Sequence, residues 1–157
     1  MDVVTVAPPA TAGAQSHPFP AQTKQARGEV GGIQTDVIAV SFSDKILVTV
    51  SQNGRLAHWL HVPLENTNPG TSGYHSVPEE GDDALLPPPE LTATTVLGGR
   101  APEWENLGHL YACQIASAIV TKNPNEKRLL VVGLGLETPD FNRDTFFGIV
   151  DLVFRCL

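Results

Sequence analysis

A chain of 157 residues with 41% hydrophobic and 17% charged residues has the balance of a single globular domain, with enough apolar side chains to bury a core. Its formal net charge of −7 argues against a general nucleic-acid or anionic-membrane surface, because a phosphate backbone is met by clustered Lys and Arg that this sequence does not show. Only two cysteines occur, Cys113 and Cys156, so neither a disulfide framework nor a Cys-based zinc site is indicated, and a reducing compartment is expected.

No Lys or Arg precedes Lys24, so the start of the chain lacks the basic region of a signal peptide, and no apolar run approaches the ~20 residues of a membrane span. The cytoplasm is the expected location, with the nucleus open. Residues 1–26 are rich in Ala, Pro, Gln and Thr without an apolar period, which predicts a disordered tail. Residues 27–157 then form one domain, opening with a short strand from Glu29 to Ile33.

From Thr35 to Val62 the chain reads as three strands, TDVIAVSF, KILVTVSQ and RLAHWLHV, joined at Ser43-Asp44 and Asn53-Gly54. Asn-Gly between alternating apolar runs favours a tight hairpin, because both central residues of that turn need positive φ. Two-residue loops at both turns fix the register and sort the side chains into two faces. Val37, Ala39, Ser41, Ile46, Val48, Val50, Ala57, Trp59 and His61 share one; Ile38, Val40, Phe42, Leu47, Thr49, Leu56, His58, Leu60 and Val62 share the other. Neither resembles a solvated surface, so both sides of this sheet need cover.

A long irregular segment follows, with Pro, Gly and Asn throughout and Glu65, Glu79, Glu80, Asp82, Asp83 and Glu90 but no Lys or Arg between Arg55 and Arg100. It is expected to form a flexible acidic loop over 64–91, a length that points to disorder or to function. Leu91 to Leu97 is a β-branched strand stopped by Gly98-Gly99. Pro102, Glu103 and Glu105 then open a helix whose apolar stripe is Trp104, Leu107, Tyr111, Ile115 and Ala118, ended by Lys122 and Asn123. The continuous apolar run from Arg128 through Leu136 suits a central strand, and Thr138-Pro139-Asp140 reads as the start of a last helix burying Phe146, Ile149, Val150, Val153 and Phe154. The fold class expected is α+β: an antiparallel meander sheet with two helices packed on one face.

In order and pattern, GEVGGIQTDVIAVSFSDKILVTVSQNGRL, TTVLGG, ASAIV, RLLVVGLGLE and FGIVDLVFRC resemble the proteasome assembly chaperone 3 family, over about Gly28 to Val62 and Thr92 to Cys156. The acidic insertion and the N-terminal tail are longer than that family's pattern. The resemblance implies a non-enzymatic chaperone of the 20S core particle. It would pair with a paralogous subunit, assembly chaperone 4, or with itself, and bind proteasome α subunits to promote α-ring assembly. Two helices can cover only one apolar sheet face, and the uncovered one becomes a partner surface. Phe42, Leu47, Thr49, His58 and Leu60 are assigned to it, since the small residues Ala39 and Ala57 suit close helix approach on the other.

No catalytic, cofactor or metal residues are assigned. Gly133-Leu134-Gly135 lacks the third glycine of a dinucleotide fingerprint, where Thr138 stands instead, and fits glycines that relieve crowding at a strand exit. His58 and His61, three apart on a strand, point to opposite faces and disfavour a shared metal. His109 and Cys113 lie one helical turn apart and could form a thiolate–imidazolium pair, although a small buried Cys beside an exposed His is the plainer reading. The competing function is a small-molecule-binding domain or minor enzyme with a pocket beside the 64–91 loop, near His58, His61 and His109.

Overall fold

The computed structural model describes residues 21–65 and 91–157. In chain order the elements are β1 (Gln22–Val30), β2 (Ile33–Ser41), β3 (Lys45–Gln52), β4 (His58–Pro63), β5 (Thr94–Leu97), α1 (Pro102–Lys122), β6 (Leu129–Gly135) and α2 (Arg143–Phe154). The strands form one sheet in the order β1-β2-β3-β6-β4-β5, antiparallel throughout except that β3 runs parallel to β6. With both helices packed on one face, the fold is the expected α+β class.

A meander is present but lies one strand earlier than expected. β1, not β4, is the third antiparallel partner of the β2–β3 hairpin. Gly31 and Gly32, at φ 58° and 79°, turn β1 into β2, and Phe42 N–H donates to Lys45 O across the Ser43-Asp44 loop. β1 opens at Gln22, inside the stretch 1–26 expected as a tail. As an edge strand it needs only one inward row, to which Ala26 and Val30 give buried apolar side chains, while Lys24 in that row and Arg27 on the opposite one keep the strand polar. Residues 1–20 of that expected tail, and residues 66–90 of the acidic loop expected over 64–91, lie outside the described residues.

The Asn53-Gly54 turn forms as expected, with φ 52° and 73° and Arg55 N–H donating to Gln52 O. Its hairpin does not. After the turn, residues 55–57 carry the chain past the end of β6, and Ala57 N–H bonds Leu134 O rather than β3. Skipping one strand means crossing about 10 Å, which three extended residues can span. β6 takes the vacated place because its LLVVGLG run is apolar on both sides, and a central position satisfies both of its edges.

This insertion exchanges the faces of β4. Leu60 pairs with Val132 and His58 with Leu134, which puts both beside Val48 and Val50 on the helix side, where Leu60 is fully buried. Trp59 and His61 turn to the opposite side, beside Leu47 and Thr49. The core is the layer of Val37, Val48, Val50, Val132, Leu60 and Val62 closed by Leu107, Tyr111, Ile115, Ile149 and Val153. Each such side chain contributes about 1.5–3 kcal/mol by leaving water.

Of the expected α1 stripe, Leu107, Tyr111 and Ile115 are buried, with Gly108, Ala112, Ala116 and Ile119 beside them. The cap of α2 is Asn142 rather than the Thr138-Pro139-Asp140 segment: its side chain accepts from the N–H groups of Asp144 and Thr145. Asp140 instead braces the cap, accepting from Asn142 N–H and Thr145 Oγ1. Ile149, Val150 and Val153 are buried as expected; Leu152, one turn before the buried Cys156, joins them, and Phe154 is exposed.

Candidate functional site

Two surfaces stand out. The first is the sheet face turned away from the helices. Ile38 opposes Thr49, Val40 opposes Leu47, Leu47 and Thr49 adjoin Val131 and Gly133 on β6, and Trp59 and His61 follow on β4. Among the described residues these side chains are half-buried by the sheet's own neighbours, since both helices lie on the opposite side. At the β1 edge the face ends in the Arg27–Asp36 ion pair, so an apolar centre meets a charged rim. Gly133 gives the centre its shape. A Cβ there would stand 2.7 Å from the Trp59 ring, so the indole lies on the bare backbone of β6.

The residues assigned from sequence to the partner face divide. Leu47 and Thr49 are on the open face, and Phe42, 37% exposed, continues it at the hairpin loop. His58 and Leu60 are not: both are buried on the helix side, because inserting β6 shifts β4 out of the assumed register. Trp59, His61 and Val131 replace them. Trp59 and His61 were legible as strand residues, but only the strand order reveals their face.

The second surface is a cavity of about 290 Å³ at the end of the sheet where the 55–57 crossing, Gly99-Arg100 and the first turns of α1 meet. Leu107, Leu134, Leu136, Ala57 and Trp104 make its walls apolar, and His58, Arg55 and Arg100 also line it. The His58 ring is slotted between Gly99 and Gly108, where a Cβ on either would come within 2.5 Å of it. Its Nε2 lies 3.1 Å from Thr95 Oγ1, which lies 3.2 Å from His109 Nε2, so one hydroxyl links the two imidazoles. Burial, then the neighbouring His109, hold the His58 pKa below its ordinary 6.5, with Glu105 acting the other way. His61 is on the other face and takes no part.

Cys113 Sγ points to Leu91 O at 3.7 Å while His109 faces Thr95, so the two do not pair. Among the described residues no group of three or more His, Cys, Asp and Glu could hold a metal, and no helix is long and apolar enough to cross a membrane. The Gly133 and Gly135 spacing has a packing cause. Gly133 accommodates Trp59, and a Cβ on Gly135 would lie 1.6 Å from Arg55 O, where the chain crosses β6. At the other end of β6, Arg128 grips both oxygens of Glu126 and reaches Ser41 Oγ and Phe42 O, fastening the strand's start to the β2–β3 hairpin.

Among the described residues, the α+β layer therefore has one sheet face covered by helices and one apolar face left open. Neither a protein-family model nor a curated protein sequence matches the chain. The fold is shared with a solved structure described as a novel chaperone complex for yeast 20S proteasome assembly. One chain of that complex superposes with a TM-score of 0.53 at 14% identity, covering 85% of this chain and 96% of the yeast one.

Proposed function

We propose that this chain is a non-enzymatic subunit of a proteasome assembly chaperone. It dimerises through the open sheet face and binds proteasome α subunits to promote α-ring assembly in the cytoplasm. The observation that carries the reading is the uncovered apolar face of Ile38, Val40, Leu47, Val131 and Trp59, on a fold shared with a chain of a proteasome-assembly chaperone complex. The order of elements and the strand and helix patterns that resemble assembly chaperone 3 support the same assignment, with assembly chaperone 4 or a second copy as the dimer partner.

Mechanistically, such a subunit acts by holding neighbouring α subunits together. Simultaneous binding raises their effective concentration and favours the correct order, and later subunits compete the chaperone away. Affinity purification of the tagged chain from its own cells, followed by mass spectrometry, tests this. Recovery of a small partner together with free α subunits and little mature proteasome supports the assignment. A monomer that brings down neither removes it.

A further inference from the structure

The cavity at the β3–β4 crossing lies on the helix side of the sheet, apart from the open face, and its charge pattern is distinctive. Arg27, Lys45, Arg128 and Arg155 pair with carboxylates, Lys24 and Lys122 donate to Leu157 O, and Arg143 lies over the Phe147 ring. Of the three basic side chains that remain, Lys127, Arg55 and Arg100, the last two line one cavity, and neither guanidinium forms an ion pair or hydrogen bond among the described residues. In an acidic chain, two uncommitted guanidinium groups beside an apolar hollow are an unusual placement.

The walls add a second requirement. Leu107, Leu134 and Leu136 are at most 9% exposed and form an apolar floor beside Trp104, while the His58 ring supplies a polar edge. The helix that borders this hollow starts at Ala101 with no side-chain cap, so its first-turn N–H groups lack the acceptor that Ser, Thr, Asn or Asp would give. About 290 Å³ is at the bottom of the range for small-molecule sites and suits one large side chain.

We infer that this cavity is a docking site for an acidic peptide segment of a protein partner, in which an apolar side chain fills the hollow and flanking carboxylates meet Arg55 and Arg100. Carboxylate–guanidinium pairing supplies charge-assisted hydrogen bonds, and the apolar side chain supplies burial. Basic or purely apolar segments satisfy only one of the two requirements. The site stands independently of the proteasome assignment, because it uses neither the open face nor the dimer.

The test uses the full chain and a fluorescein-labelled peptide, Asp-Glu-Leu-Phe-Asp-Glu, with an Asn/Gln version as control, read by polarisation and by the two Trp indole signals in ¹⁵N NMR. The expected result is saturable, salt-sensitive binding that moves the Trp104 indole and not that of Trp59. It should weaken by about tenfold or more in the Arg55→Glu/Arg100→Glu variant, whose melting temperature should be unchanged because both side chains are exposed. Equal binding of the Asn/Gln peptide, unchanged affinity in the variant, or a response at Trp59 instead would overturn the proposal. A response at Trp104 to free 3-phenylpropionate but not to the peptide would make this a small-carboxylate site and overturn the peptide assignment.

Discussion

The indole of Trp59 lies against Gly133, its partner across the β4–β6 pairing, closely enough that a Cβ on Gly133 would fall 2.7 Å from the ring. The widest side chain of the open face therefore depends on the smallest residue of the neighbouring strand.

Gly133→Val should lift Trp59 off the sheet and destabilise the fold by about 1–3 kcal/mol, the usual cost of overpacking. Thermal unfolding measures the loss, and Trp fluorescence in a Trp104→Phe background reports the displaced ring. A Gly135→Ala change should cost more, because its Cβ would meet the Arg55 backbone rather than a rotatable side chain.

Two aspartate substitutions should separate core from interface. Leu60→Asp places a charge in the helix-covered layer, where the side chain is fully buried, and should unfold the domain with a loss of more than about 4 kcal/mol. Leu47→Asp changes a half-buried position on the open face, so the melting temperature should hold within a few degrees while association fails. Circular dichroism and light scattering on both variants give the comparison. An unfolded Leu47→Asp, or a dimer that survives it, would contradict the surface assignment.

Acid should weaken the clasp between Glu126 and Arg128. The bonds from Arg128 lower the Glu126 pKa to about 2 despite its burial. A carboxylate with a depressed folded pKa contributes stability that is fully present above its unfolded value, 4.5, and is lost as pH falls toward 2. Glu126→Gln should therefore cost about 2–3 kcal/mol at neutral pH and remove much of the fall in stability below about pH 4.5, as urea unfolding across a pH series would show.

His58 should titrate in the same direction at higher pH. With its pKa held below 6.5 by burial and by His109, the folded state favours the neutral ring. Its contribution is present above 6.5 and is lost as pH falls through the folded value. The melting temperature should drop on acidification from about pH 7.5 to about pH 5, and His58→Gln should flatten that slope. A His58 ring signal titrating above 6.5 by NMR would refute the placement.

Most elements were legible because their periodicity is local. The β2–β3 hairpin follows from alternation around Ser43-Asp44, and α1 from its stripe around Leu107, Tyr111 and Ile115. Strand order is not a local property. Asn53-Gly54 encodes a turn but cannot dictate which strand the following segment joins, and the Arg55–Ala57 link is long enough to pass β6. That single step put two of the five residues assigned to the open face, His58 and Leu60, on the wrong side of the sheet, since the altered register moved them inward and Trp59 outward. β1 escaped notice because an edge strand of Gln, Thr, Lys and Arg carries too little apolar signal to separate from a polar tail.

The position of β6 also bears on how the domain comes into being. During synthesis, residues 22–52 can close their meander as soon as they emerge, since those pairings are near in sequence. The β4–β5 pair has no seat on that meander until residues 129–135 supply the strand between them. Closure of the sheet thus waits on a contact between segments some eighty residues apart, a high-contact-order step that favours slow folding. Until then β3 offers an open apolar edge, so a nascent chain halted before Leu129 would be more prone to pair with other strands than the finished domain.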